Sequence, residues 1–337
     1  MNDINNIRLI ILGNLDKYSD EAQEKVTYLL LNELSKKCNV MYFNAKRNLF
    51  NNYFWKSIRF YEPHIVHIFL RPTIFTLLYA RLIKSYLKGS KIIFHSLQPS
   101  KNKNILKKGI KILKPDLFIT VSNKSAKYYR SLGCKTEIIP VGVDTDKFIP
   151  IDREKKILLR KKYRIPIDKY ILLHVGHALP GRNLMLFKKL TRDNFQVLIV
   201  TSKSYKDEKI IKSLNAYGAI IISDYIAEIQ EIYQLSDVYI FPTLNESNAI
   251  EMPLSILEAM ACNLPIITTP FGAIYEKFEE DNDFLFFNGT ENDLISKINY
   301  ILSCGRGDFN RRKIMIFHWE YIIQNLLETY KNIINND

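Results

Sequence analysis

Cysteine is scarce: Cys38, Cys134, Cys262 and Cys304 are scattered through 337 residues with no paired spacing. So few, so far apart, they exclude a disulfide framework and a thiolate zinc site, and they fit a reducing compartment. Long apolar runs are missing too. No stretch approaches the roughly 18 to 20 apolar residues that a membrane-spanning helix needs. The opening MNDINNIRLIILGNL holds only the short stretch IRLIIL, itself interrupted by Arg8, behind an early Asp, which is unlike a secretory leader. Internal repeats and low-complexity tails are absent as well. What remains is enough apolar sequence for one or two full cores, two being expected at this length, in a chain expected to be cytoplasmic.

Acidic residues are lacking in one half only. The net charge is +13, and residues 1–150 hold 25 of the 48 Lys and Arg but 11 of the 35 Asp and Glu. The remaining 23 basic and 24 acidic residues nearly cancel. A one-sided excess of this kind points to an anionic partner or to a biased genome rich in Lys, Ile and Asn. Lys84, Lys88 and Lys91 follow Arg81 at three- and four-residue steps. Lys103, Lys107, Lys111 and Lys114 then alternate with Ile105, Leu106, Ile110, Ile112 and Leu113. The second stretch has the make-up of a basic amphipathic helix lying on anionic lipid, or of an ordinary helix packing its apolar face on a sheet. The lipid reading makes the protein peripheral on the inner face of a membrane, with Lys84, Lys88, Lys103, Lys107, Lys111 and Lys114 as its contacts. Nucleic acid is not expected, because no recognised binding motif accompanies the charge.

In chain order, Ile7–Leu12 reads as a buried strand and Gly13-Asn14 as the turn that follows. A helix is expected from about Asp20, striped by Ala22, Val26, Leu29, Leu30 and Leu34. Cys38–Phe43, Pro63–Leu70 and Lys91–Phe94 are further strands, which is how a doubly wound domain begins. His64 and His67 fall inside an apolar strand and read as core residues. His95 stands just past a strand end, in HSLQPS. Beyond a linker at about 149–167, which includes the charged DREKK run, Tyr170–Val175 opens a second series with Phe195–Val200, Ala219–Ile222 and Asp237–Phe241. A final helix runs from Phe317 through Tyr330, with Trp319, Ile322, Leu326 and Tyr330 on its buried face.

The most informative stretch is FPTLNESNAIEMPLSILEAMACNLPIITT, Phe241 to Thr269. It reads as strand, loop, helix, strand, with Pro253 at the helix start and Asn263 as a left-handed C-cap before Pro265. Parallel strands joined by a helix place that helix's N-terminus outside the strand ends, where its free N–H groups attract phosphate. Glu258 lies little more than one turn in, placed to accept hydrogen bonds from ribose or sugar hydroxyls.

This segment resembles the nucleotide-sugar signature of family 4 retaining glycosyltransferases of the GT-B fold, through Pro242, Glu246, Leu257, Glu258, Ala259, Met260, Ala261 and Pro265. KPDLFITVSNKSAKYYRSLGCKTEIIPVGVDTDKFIP carries a second resemblance, through Asp116, Ser122, Gly133, Pro140, Gly142, Val143, Asp144, Phe148 and Pro150. Together these cover roughly residues 115–330, and the likeness is thin over 1–90. In one respect the chain departs from the pattern: eleven residues separate Glu246 from Glu258, against seven in the family. Counting back from Glu258 reaches Ile250, beside Glu251. Either Glu246 contacts the donor sugar from a longer loop, or Glu251 has taken over that role.

The resemblance implies a GT-B chain of two doubly wound Rossmann-like domains facing across a cleft. Residues 1–155 would form the acceptor side and 165–315 the donor side, with 316–337 as a helix crossing back to the first domain. It implies a hexosyltransferase that moves a sugar from a nucleotide-diphosphate sugar to a glycan or lipid-linked hydroxyl with retention. The alternatives are a nucleotide-sugar epimerase or hydrolase, or a non-catalytic basic module. His95 would face the donor sugar, and Glu258 would hold the ribose. Asn248, Ala249 and Ile250 would line the donor loop, and Gly13 and Asn14 the acceptor or phosphate side. Many relatives hold the diphosphate with an Arg and a Lys where this chain has His177 and Arg182. Arg182 can grip phosphate with its planar fork, whereas His177 is only partly charged near neutral pH unless a diphosphate raises its pKa. The sugar nucleotide is a substrate, and no cofactor is expected. Nor is a metal, since no Asp-x-Asp motif is read and cations already serve the phosphates.

Overall fold

Every strand pairing among the described residues is parallel, which requires a crossover between consecutive strands and buries each sheet on both faces. The structure is a computed structural model. It describes residues 6–15, 22–45, 51–98, 103–191, 194–203, 205–245, 248–304 and 307–335, without the side chains of 103–106. Two compact units result. The first comprises Met1–Gly142, Ile250–Met252 and Trp319–Asp337, the second Val143–Ala249 and Pro253–His318.

In the first unit, β1 (Arg8–Gly13), β2 (Asn39–Asn44), β3 (Ile65–Phe69), β4 (Lys91–Ser96), β5 (Leu117–Thr120) and β6 (Thr136–Ile138) form a sheet of order β2-β1-β3-β4-β5-β6. α1 (Ala22–Ser35) packs on α13 (Trp319–Asn335). Tyr330 of α13 is fully buried there, its hydroxyl 2.5 Å from His67 Nδ1 on β3. α2 (Asn52–Tyr61), α3 (Ile74–Tyr86) and α5 (Asn123–Ser131) bury Phe54 and Ile58, Leu77 and Ile83, and Tyr129 in the core that also holds Ile10, Val66, Ile92 and Phe118. α4 (Lys103–Ile112) adds Ile110 to the same core.

The second unit contains β7 (Tyr170–Val175), β8 (Phe195–Val200), β9 (Ile220–Ile222), β10 (Val238–Phe241), β11 (Ile266–Thr268) and β12 (Phe284–Phe286), in the order β12-β11-β10-β7-β8-β9. Its helices are α6 (Arg153–Lys162), α7 (Glu208–Ala216), α8 (Ile229–Leu235), α9 (Leu254–Ala261), α10 (Gly272–Lys277), α11 (Glu291–Ser303) and α12 (Phe309–Ile314). α9 ends in a full Schellman motif. Asn263 takes φ 57°, its N–H reaches the Met260 carbonyl at 2.9 Å, and the Leu264 N–H reaches that of Ala259 at 3.0 Å. Pro253 proves to be the N-cap rather than the first helical residue.

The stretch expected as a linker is instead structured. Asp152 caps α6 through the Lys155 N–H at 2.8 Å, and the DREKK run is that helix's first turns. Arg160 is 5% exposed and donates to the carbonyls of Leu235, Ile167 and Lys169 and to Asp237 Oδ2. Lys156 reaches Asp237 Oδ1 at 2.6 Å, and the Ile171 N–H reaches Oδ2 at 2.7 Å. The chain passes from one unit to the other at Gly142 and Val143, ahead of the predicted boundary. Among the described residues no helix is long and apolar enough to cross a membrane.

Candidate active site

From β7 the chain of the second unit moves outward to β8 and β9, then returns to the other side of β7 as β10. The carboxyl ends of β7 and β10 therefore flank a topological switch point, where open parallel sheets bind ligands. His177 follows β7 there, and Arg182 lies against Phe241 at the end of β10.

Gly176-His177 leaves β7, and its path is fixed by backbone bonds. The Gly176 N–H donates to the Val200 carbonyl at 2.9 Å and the Ala178 N–H to Thr201 Oγ1 at 2.9 Å. His177 is half-buried, its ring stacked on Tyr205 at 5.5 Å between centroids. Arg182 is 7% exposed, with its guanidinium carbon 5.6 Å from the ring centre of Phe241, the last residue of β10. A cation on an aromatic face at the strand ends is pre-oriented at little entropic cost. Between them Gly181 takes φ 85°, and a Cβ there would collide with the amide of Asn248. The loop after β7 and the loop after β10 are thus in direct contact.

Glu258 is 4% exposed on α9 and accepts from the Tyr233 hydroxyl at 2.7 Å. Burial first, and then the Glu258 carboxylate, push the Tyr233 phenol well above its ordinary pKa, so it stays a proton donor to that carboxylate. Tyr239 Oη donates to the Val175 carbonyl at 3.2 Å, tying β10 to the end of β7. Tyr233, Tyr205 and Phe241 were not picked out from the sequence. No spacing marks them, because each gains its role from a neighbour distant in the chain.

Of the two candidates for the sugar contact, Glu246 lies outside the described residues. Ile250–Met252 belong to the first unit. There Glu251, 2% exposed, accepts from Ser122 Oγ at 3.0 Å and Ser125 Oγ at 2.6 Å at the start of α5, and its N–H donates to the Leu97 carbonyl at 2.9 Å. Asn248 and Ala249 remain with the second unit, and the neighbouring Ile250 is buried.

The first unit has its own switch point, between β1 and β3. Gly13 closes β1 there, and a Cβ would sit 2.9 Å from Thr27 Cγ2. Asn14 follows, its buried Oδ1 without a partner among the described residues. His95 requires a correction. It lies inside β4, not past its end, because the strand continues through Ser96. Its ring stacks on His67 at 5.3 Å, and burial drops its pKa to about 3. His67 lies buried in β3 as expected, and His64 precedes that strand and accepts from the Arg8 N–H at 3.1 Å.

The sequence does contain Asp-x-Asp tripeptides, contrary to the reading above, but both are turn caps. Asp144 Oδ1 accepts from the Asp146 and Lys147 N–H groups, and Asp281 Oδ1 from those of Asp283 and Phe284.

Comparison with known proteins finds two family matches, one in each half of the chain. Residues 15–147 match the family described as Glycosyltransferase Family 4, and residues 182–304 match Glycosyl transferases group 1. The chain belongs to the family 4 glycosyltransferases. Sulfoquinovosyl transferase SQD2 of Arabidopsis thaliana is 26% identical over 48% of the chain and 32% of its own length. D-inositol 3-phosphate glycosyltransferase of Geodermatophilus obscurus is 25% identical over 58% of the chain and 47% of its own length. The chain thus spans half or less of these two curated relatives. Among solved structures, Anabaena HepE in complex with UDP-glucose superposes with a TM-score of 0.75 at 14% identity, covering 96% of this chain and 99% of that one. Sucrose-phosphate synthase of Thermosynechococcus elongatus superposes with a TM-score of 0.77 at 16% identity, over 98% and 100%. At such identities the likeness is one of fold, and the fold of this family 4 chain is GT-B.

Proposed function

We propose that this family 4 chain transfers a hexose from a nucleotide-diphosphate sugar to an acceptor hydroxyl on a glycan or lipid-linked glycan, with retention and without a bound metal. One observation supports the reading: His177 follows the end of β7 and the Arg182 guanidinium lies over Phe241 at the end of β10, so the two cations that the resemblance assigns to the diphosphate stand at the β7/β10 switch point. The presence of UDP-glucose in HepE supports a UDP-sugar as the first donor to try.

Departure of the nucleoside diphosphate builds negative charge on its terminal phosphate. Arg182 and the free N–H groups at the start of α9 stabilise that charge as it develops, and a charged His177 adds to it. Glu258, held by Tyr233, accepts from the ribose hydroxyls. Glu251 has both oxygens engaged by Ser122 and Ser125, so we assign it to positioning the loop and Glu246 to the sugar. Asn248 and Ala249 line the donor. His95 works as a neutral imidazole, and Gly13 and Asn14 serve the acceptor side.

Calorimetric titration with UDP-, GDP- and ADP-sugars tests the reading on the wild type and on Glu258→Ala. Micromolar binding of one donor, lost in the variant, is the expected result. The absence of heat with every donor overturns the donor site. Acceptor-dependent product formation, against epimerised or free sugar, separates transfer from the other chemistries.

A further inference from the structure

The outward faces of α2, α3 and α4 carry an apolar ridge where a solvated helix would be polar. The three helices lie side by side in the first unit. Trp55 of α2 meets Tyr86 of α3 edge to face at 5.1 Å, and Ile74 of α3 packs against Gly109 of α4. Their inner residues fill the core, and their outer apolar side chains stay exposed among the described residues. On α3, Phe75, Leu78 and Leu82 are 83%, 42% and 54% exposed, at steps of three and four residues with Arg81 among them. On α2, Tyr53 and Phe60 are 73% and 92% exposed beside Lys56 and Arg59, and on α4 Ile112 is 80% exposed beside Lys107, Lys108 and Lys111.

Charge decides what covers this ridge. Glu62 is the only acidic residue between Glu33 and Asp116, so the face is apolar and basic with almost no counter-charge. A second copy laid on it would set Lys and Arg against Lys and Arg. We infer that the ridge docks on an anionic lipid surface, with Phe60, Phe75, Leu78 and Leu82 entering the headgroup boundary and the surrounding cations held at the phosphates. The contact set differs from the lysines expected from sequence. Lys84 pairs with Asp116, and Lys114 donates to the Gly133 carbonyl at 3.0 Å, so both are engaged within the unit. The aromatic and Leu residues take their place.

Flotation of the full chain with vesicles tests it, using phosphatidylcholine alone and phosphatidylcholine in which about a third of the lipid is phosphatidylglycerol. The chain should float with the anionic vesicles only, and less as salt rises. Phe60→Ser with Phe75→Ser, both at exposed positions, should weaken binding roughly tenfold or more. Lys107→Glu with Lys111→Glu should do the same, both with unchanged circular dichroism. Failure to float with anionic vesicles, or flotation indifferent to both pairs, overturns the inference. So does a concentration-dependent dimer that Phe60→Ser with Phe75→Ser abolishes.

Discussion

The Tyr233 hydroxyl donates to Glu258 Oε2 at 2.7 Å, and both residues are buried. Tyr233→Phe deletes that donor and removes one hydrogen bond from a buried carboxylate, at a cost of about 1–3 kcal/mol. If Glu258 holds ribose, the variant should weaken donor binding by roughly tenfold while the maximal rate changes less. Calorimetry and a KM-against-kcat comparison check this. A variant that loses only melting temperature assigns Tyr233 to stability alone.

Arg182 should be sensitive to shape as well as charge. Arg182→Ala is expected to reduce donor affinity by roughly tenfold to a hundredfold, the worth of a charge-assisted hydrogen bond. Arg182→Lys keeps the charge but loses the planar fork over Phe241, so it should recover only part of that loss. Titration of both variants with the same donor gives the comparison.

Asp237 sits between Lys156 and Arg160 and is 7% exposed. Burial raises its pKa, but those cations and the Ile171 N–H outweigh it and hold the carboxyl below its ordinary value. Asp237→Ala removes the counter-charge of buried Arg160 and half-buried Lys156 and should destabilise the protein by about 3–5 kcal/mol. A depressed folded pKa adds stability that is complete above the ordinary Asp range and lost as pH falls through and below it. Urea denaturation of the wild type should therefore steepen in its acid loss below about pH 4, a component that Asp237→Asn removes.

Three buried histidines work in a higher window. Burial lowers His95 and His174 to about 3 and His67 well below its usual value. The unfolded chain takes up protons at these rings below about pH 6.5, and the folded chain does not. Their contribution to stability is complete above that pH and falls toward pH 3, by up to about 1.4 kcal/mol per pH unit for each ring. Denaturation midpoints should decline between pH 7 and 5. Nuclear magnetic resonance of the imidazole protons should show three rings that do not titrate in that range.

The strands most fully read from sequence are those buried on both faces. Tyr170–Val175 and Phe195–Val200 appear residue for residue, since a parallel strand between two helical layers is one apolar run. β4 was cut short because His95 and Ser96 are polar. Ser96 Oγ, however, reaches the Gln98 carbonyl at 2.9 Å, and the His95 ring stacks on His67, so the strand buries both. The 149–167 segment looked like a linker because its charge is visible in sequence and its partner is not. Asp237 stands 77 residues beyond Arg160. For the same reason Glu258 could be named from its motif, whereas Tyr233 could not.

α13 gives the protein an order of manufacture. Gly142 is the last residue of the opening segment of the first unit, and a side chain there would run into the indole of Trp319, where α13 begins. Tyr330 closes over His67 from the same helix. A ribosome that has finished residues 1–142 has therefore made every strand of the first unit's sheet but not the helix that seals His67. The second unit, Val143–Ala249 and Pro253–His318, can fold during synthesis, ahead of the unit that began before it. An excised 1–142 fragment should behave as an open sheet with an apolar face exposed. The same fragment joined to Trp319–Asn335 should be a folded one.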